Sequence, residues 1–134
     1  MGVDLRGYDA GVRRYTEQTV PNKVRDLRDA AAFEAVATVV RMTIVDTGRA
    51  KGNWQVTAGQ PAEGHTEDTD KSGAATLGAA QAAVSAARNP WTPIWLHNGL
   101  PYIKNMDLGL KNFSRTGALH MVDAAVARVR RMFR

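Results

Sequence analysis

The residues of this chain whose types could do chemistry are three histidines, a polar stretch holding four acids, and two glycines that bracket a pair of cations. His65, His97 and His120 stand at separations that fit no zinc pattern. With no cysteine in the chain, a metal would need carboxylates gathered by the fold. Residues 59–73 carry Glu63, Glu67, Asp68 and Asp70 beside His65. Asp68-Thr69-Asp70 is a fragment of a calcium loop, but the remaining ligands of that loop are absent. Gly48-Arg49-Ala50-Lys51-Gly52 looks superficially like a phosphate loop. The spacing Gly-x-x-x-x-Gly-Lys-Ser/Thr is missing, and the element order, helix then strand, is the reverse of what a phosphate loop needs. Ser85 or Ser114, His97 or His120, and Asp107 or Asp123 can be written as a hydrolase trio. Any chain of this size offers such trios, and no Gly-x-Ser-x-Gly elbow is present. These residues point to no reaction and no cofactor, so the expectation is a protein that is not an enzyme.

Nucleic acid is the other chemistry to weigh. Trp54, Trp91 and Trp95 near Arg49, Lys51 and Arg88 are the residue types of a stacking platform for single strands. Period-two placement favours core positions for Trp54 and Trp95 and leaves Trp91 as the exposed one. Arg128, Arg130, Arg131 and Arg134 crowd the last seven residues of a chain with 18 Lys plus Arg against 13 Asp plus Glu, a net charge of +5 and a pI near 10.0. They read either as cations completing a helix C-terminus or as a basic contact face for an anionic partner.

The elements that must position these residues centre on one corner, residues 45–56. From Val24 the apolar positions Val24, Leu27, Ala31, Ala35, Val39 and Met42 follow the spacing of one helical face. Phe33, Val40 and Ile44 fall on the opposite side, so the second half of this helix is apolar nearly all round, which suits either a sheet on one side and another body such as a subunit on the other, or a simple buried central helix. Gly48, free to adopt the left-handed conformation, is expected to end the helix, with Asp46 and Thr47 bonding backbone groups in the turn. From Gly52 the alternation of Asn53, Trp54, Gln55 and Val56 predicts a half-buried antiparallel strand with Trp54 and Val56 inward.

Around that corner the rest reads as support. Residues 1–20 carry a weak helical signal, with Asp9 as a possible cap and Gly7 and Gly11 each lowering helix propensity by about 1 kcal/mol, which predicts a frayed or partner-dependent arm. Pro21 suits the first turn of a helix, with Asn22 as an alternative cap. Residues 58–73 predict a mobile, solvated loop of the kind used for contacts. Residues 74–88 are alanine-rich and predict a thin helix stopped by Asn89-Pro90. A second strand is expected over 91–99, led in by proline and closed by Asn98-Gly99, to pair with the Trp54 strand. A short helical turn follows over 101–109, with Tyr102, Ile103 and Met106 inward and Gly109 as its stop, then a loop over 110–116. Residues 117–134 predict an amphipathic helix with its basic face exposed. The fold class is therefore α+β: a long N-terminal helix on a small antiparallel sheet, with an alanine-rich helix and a C-terminal amphipathic helix. One domain is expected over 21–134, behind the arm of residues 1–20.

Composition sets the bounds. At 134 residues, with 44% hydrophobic and 23% charged residues, the chain has the size and makeup of one ordinary globular domain. The absence of cysteine excludes a disulfide scaffold and fits a reducing cytoplasm. No stretch resembles a signal peptide or a membrane span, and Met1-Gly2 is not a myristoylation start because Arg6 stands where that motif needs Ser or Thr. No membrane contact is expected.

Two segments together carry more than any single motif. Ile44-Val45-Asp46-Thr47-Gly48-Arg49-Ala50-Lys51-Gly52-Asn53-Trp54-Gln55-Val56 is followed some forty residues later by Ile94-Trp95-Leu96-His97-Asn98-Gly99-Leu100-Pro101-Tyr102-Ile103 and by Met106-Asp107-Leu108-Gly109. The pair resembles the neck or tail-completion proteins of tailed bacteriophages. Those look like Pro-Val-Asp-Thr-Gly-Arg then Asn-Trp, an Asn-Asn-x-Pro-Tyr turn, and an x-Glu-x-Gly corner. Ile44 replaces the usual Thr-Pro lead-in, Asp107 stands where the family tends to have Glu, and Lys111-Asn112-Phe113-Ser114-Arg115-Thr116 replaces a Ser-x-Gln-Ala-Pro-like run. The resemblance implies a small α+β virion subunit that joins the portal-side connector to a tail terminator or tail tube. It implies copies arranged as a homo-oligomeric ring or repeat, assembled in the host bacterial cytoplasm, near packaged DNA and without catalytic residues. The residues it marks are a structural corner (Asp46, Thr47, Gly48, Arg49, Asn53, Trp54) and a turn with a second corner (Asn98, Pro101, Tyr102, Asp107, Gly109). Arg128, Arg130, Arg131 and Arg134 are the candidate basic contact face.

Overall fold

A long helix organises the chain. In the computed structural model, which describes residues 5–134, it begins as α1 (Arg6–Arg14), passes through a π-helical turn at Tyr15–Thr19 and continues as α2 (Val20–Met42). Residues 1–4, including Met1-Gly2 and the start of the expected arm, lie outside the described residues. The expected frayed arm is instead helical from Arg6, and the helix runs through Pro21 without a break. In the π-turn the Val20 N–H donates to the carbonyl of Tyr15. This wider turn opens the backbone just ahead of Pro21, whose ring would otherwise crowd the carbonyl four residues back.

The helix ends earlier than expected. Thr43 turns extended (ψ 126°), and Gly48, with φ +86°, begins the short helix α3 (Arg49–Gly52) rather than closing α2. The second half of α2 is covered on more than one side, with Val36, Thr38, Val39 and Val40 buried where α6 and α4 pack on it, while Phe33 and, past the end of the helix, Ile44 remain open to solvent.

Two strands follow, β1 (Gln55–Ala58) and β2 (Ile94–His97), paired antiparallel with Val56 opposite Leu96 and Thr57 opposite Trp95. Val56 and Leu96 pack against the core. Trp95, being one residue out of phase with Leu96, is turned away and 43% exposed, which corrects its expected core position. Its indole Nε1–H donates to the Gly59 carbonyl at 3.0 Å. Trp91, the tryptophan expected to be exposed, is so, and it lies ahead of β2, which is shorter than the strand expected over 91–99.

The alanine-rich helix α4 (Ala74–Ala86) packs on α2 and β1 through Thr76, Ala80 and Val84. The short α5 (Ile103–Leu108) buries Met106, a 3₁₀ turn covers Lys111–Phe113, and α6 (Met121–Met132) lies along α2. The last helix therefore starts at Met121, not near residue 117. The core joins Val36, Val39 and Val40 of α2 to Trp54, Leu100, Met106, Met121 and Ala125. The α+β architecture is the one the sequence predicts: a long N-terminal helix, a two-stranded antiparallel sheet, an alanine-rich helix and a C-terminal helix. Among the described residues no helix is long and apolar enough to cross a membrane.

Candidate interaction surface

The first corner is built from buried polar groups whose hydrogen bonds close on one another. Asn53, with 0% exposure, donates from Nδ2 to the carbonyls of Arg49 (2.8 Å) and Thr66 (3.0 Å), and its Oδ1 accepts the Thr66 N–H at 2.7 Å. Trp54 sends its Nε1–H to the Thr43 hydroxyl at 2.8 Å, and that hydroxyl donates to the Val39 carbonyl. The indole thereby ties the start of β1 to the last turn of α2, and its polar edge is satisfied inside the core. The Thr47 hydroxyl accepts the Arg49 N–H at 3.2 Å, while Asp46 is exposed.

At Gly48 the chain passes close to its own backbone. A Cβ there would stand 2.7 Å from the Lys71 nitrogen and 2.9 Å from Asp70 backbone atoms, and the Gly48 carbonyl accepts the N–H groups of both Gly52 and Asp70. Glycine is required by the positive φ and by this approach.

Past Ala58, the last residue of β1, the polar stretch up to residue 73 has no regular secondary structure, yet it is held at several points. Gly64 lies against Gly99 and its carbonyl faces His97 Nε2 at 3.2 Å, Thr66 is clasped by Asn53, and Arg49 pairs with Glu67 at 2.7 Å. Asp70 closes the segment. Its Oδ2 accepts the N–H and hydroxyl of Thr76, both at 2.8 Å, and Oδ1 accepts the Gly73 N–H at 3.0 Å, so the carboxylate caps the start of α4. Partial burial works to raise the Asp70 pKa. The hydrogen bonds from Thr76, Gly73 and Ser72 outweigh it and hold the carboxyl below its ordinary value. Of the acids of this stretch, Asp70 caps α4 and Glu67 pairs with Arg49, and among the described residues no group of three His, Asp or Glu is placed to hold a metal ion.

The second corner works the same way. Asn98 donates from Nδ2 to the Ala50 carbonyl at 2.9 Å and accepts the Leu100 N–H, linking the end of β2 to α3. Pro101 is exposed and Tyr102 stacks on Phe113 with ring centroids 6.2 Å apart. Asp107 accepts the Met121 N–H on its carboxylate and the His120 N–H (3.0 Å) on its carbonyl, capping α6. Gly109 ends α5 at φ +68°, and a Cβ there would meet the Ala118 nitrogen at 2.6 Å.

The two corners meet. A cleft of about 450 Å³ is lined by Asp46, Thr47, Gly48 and Arg49 from the first and by Tyr102 and Met106 from the second. The four arginines of the candidate basic contact face are all exposed. Arg128 reaches Glu34 of α2 at 3.5 Å, Arg130 borders a groove between α6 and α2, and Arg131 and Arg134 are exposed at the chain end. That groove, about 330 Å³ and largely apolar, is a feature the sequence reading missed, although Val122, Val126, Val129 and Phe133 recur at helical spacing. Compared with protein-family models, curated proteins and solved structures, the chain matches none.

Proposed function

We propose that this chain is a structural virion protein of a tailed bacteriophage, a neck or tail-completion subunit that joins the head-side connector to the tail and acts through protein–protein assembly, without catalysis. The observation that carries the reading is the meeting of the two resembling segments. Separated by some forty residues, they line one cleft, tied by the Asn98 to Ala50 hydrogen bond. Residues shared with an unrelated chain by coincidence would have no reason to converge. The surface also favours assembly over catalysis. Phe33, Ile44, Val45, Val122, Val126 and Phe133 are exposed apolar side chains that a partner would cover. Partners implied are the portal-side connector, a tail terminator or tail tube, and further copies of the chain in a ring or repeat. The test is genetic: in a phage carrying this gene, a nonsense mutation should yield DNA-filled heads and separate tails that purified protein joins in vitro. Normal virions from the mutant would refute the proposal.

A second reading, a basic nucleic-acid-binding module, is favoured by the exposure of Arg131 and Arg134 at the end of α6. It requires DNA affinity that falls steeply with salt and whose slope drops by about one unit per neutralised arginine.

A further inference from the structure

Every residue from Leu5 to Gln18 is exposed, although the segment is helical almost throughout. Leu5, Tyr8, Val12 and Tyr15 recur at steps of three, four and three, which aligns them along one side of the helix, and they are 55%, 68%, 43% and 59% exposed. A helix of this length is marginal in water by itself, and Gly7 and Gly11 weaken it further. Among the described residues nothing explains those glycines, since a Cβ at either would meet none of their atoms within 4 Å. Both lie toward the Tyr8–Tyr15 side of the stripe, where they lower the surface for a neighbouring helix to approach.

A matching surface exists on the same molecule. On α6, Val122, Val126, Val129 and Phe133 recur at steps of four, three and four, and the first three line the apolar groove whose other wall includes Ala35 and Leu96. The stripe presents four apolar positions, and α6 presents three in the groove with Phe133 just past its end, all at the spacing of an interhelical seam. Asp9 borders the stripe and Arg130 borders the groove, so the flanks carry opposite charge.

The stripe cannot reach the groove of its own chain. Met121 touches Thr43 and Arg128 touches Glu34, so α6 runs antiparallel to α2 and ends alongside about residue 30. At 1.5 Å per residue, Tyr15 then lies roughly 20 Å farther along the same continuous helix, and Leu5 farther still. Closing that distance would require breaking the helix.

We infer that the α1 stripe of one copy seats in the α6–α2 groove of a second copy, so that each chain gives one arm and receives one. Stable interfaces bury roughly 1,200–2,000 Å². One helix lying in one groove falls short of that range, and giving and receiving an arm doubles the contact made by each chain. The inference is independent of the virion reading. A DNA-binding chain would exchange arms equally well, and failure of the exchange would leave head–tail joining through other surfaces untouched.

The experiment uses the full chain. Sedimentation velocity across a concentration series should show the mass rising above the 14.6 kDa of one chain. Tyr8→Glu with Val12→Glu on the stripe, and separately Val126→Glu on the groove, should each weaken self-association by about tenfold or more. All of these positions are exposed, and circular dichroism checks that the helices persist. Since the chain has no cysteine, V12C and V126C place single thiols on separate copies. Oxidising the mixture should give a disulfide-linked heterodimer in greater yield than either variant gives alone. A monomer at every concentration, self-association unchanged by both sets of substitutions, or no excess of the mixed disulfide would each overturn the inference.

Discussion

Replacing Asn53 with alanine tests the first corner at its most buried polar point. The side chain makes three hydrogen bonds, at 2.7, 2.8 and 3.0 Å, all to backbone groups of Arg49 and Thr66. Each such bond contributes about 1 kcal/mol net, and a buried polar group left without its partner costs about 1–3 kcal/mol. Thr66 is exposed, so water can take over its two groups, whereas the Arg49 carbonyl sits deeper in the corner. The sum is about 3 kcal/mol, a large part of the roughly 5–15 kcal/mol that holds a domain of this size together. In urea, with a slope near 2 kcal/mol per molar, the midpoint should fall by about 1.5 M. The change can be followed by the fluorescence of the neighbouring Trp54. Asn53→Asp sharpens the test, since the shape is kept while both donors are lost and a carboxylate faces two carbonyl oxygens. Burial and those carbonyls would raise the pKa of that carboxyl in the folded state, so the folded form takes up the proton first and the deficit should shrink as pH falls. An Asn53→Ala protein within about 0.5 kcal/mol of the parent would refute the account of the corner, because no reading with three made hydrogen bonds gives so small a loss.

Other substitutions probe the neighbouring joints. Gly48→Ala combines a left-handed backbone with contacts below 3.0 Å to the backbone of Asp70 and Lys71, and should cost about 3 kcal/mol in the same urea titration. Asp107→Ala removes the cap of α6 and should cost about 1–2 kcal/mol, with amide exchange accelerating first at Met121 and its neighbours. Asp70, whose pKa is lowered in the folded state, contributes stability that is fully present above its unfolded pKa of about 3.9 and is lost as pH falls through the lower folded value. The stability gap between the parent and Asp70→Asn should therefore be constant near neutral pH and narrow below about pH 4. A gap that widens on acidification would contradict the capping geometry.

Periodicity made the framework legible, and local backbone choices escaped it. The alanine-rich helix, both strands, the Gly109 stop and the buried Trp54 follow from residue spacing and propensity, and each is found. The end of α2 was not legible, because Ile44 and Val45 continue the apolar rhythm past Met42 although both are exposed. Trp95 shows the limit of alternation. Period two says that neighbours face opposite ways, but only the register with β1, which sets Leu96 opposite Val56, decides which one is inside. The continuity of the first helix was hidden by Gly7, Gly11 and Pro21, whose propensities argue for breaks that a π-turn absorbs. The polarity of residues 58–73 suggested a mobile loop, since composition does not distinguish polar groups that face water from those that bind Asn53, Gly48 and the start of α4. Of the candidate contact residues, the arginines could be counted in the sequence but not assigned to faces, and Arg128 turns out to be engaged with Glu34.

We propose that this chain is a joint in a tailed-phage particle. Electron cryomicroscopy of virions of a tailed phage that carries this gene tests the proposal most directly. The account predicts repeated copies at the junction of head and tail, recognisable by the long helix of residues 6–42 beside the shorter α6. Purified, infectious virions that lack the chain, or that carry it away from the junction, would contradict it.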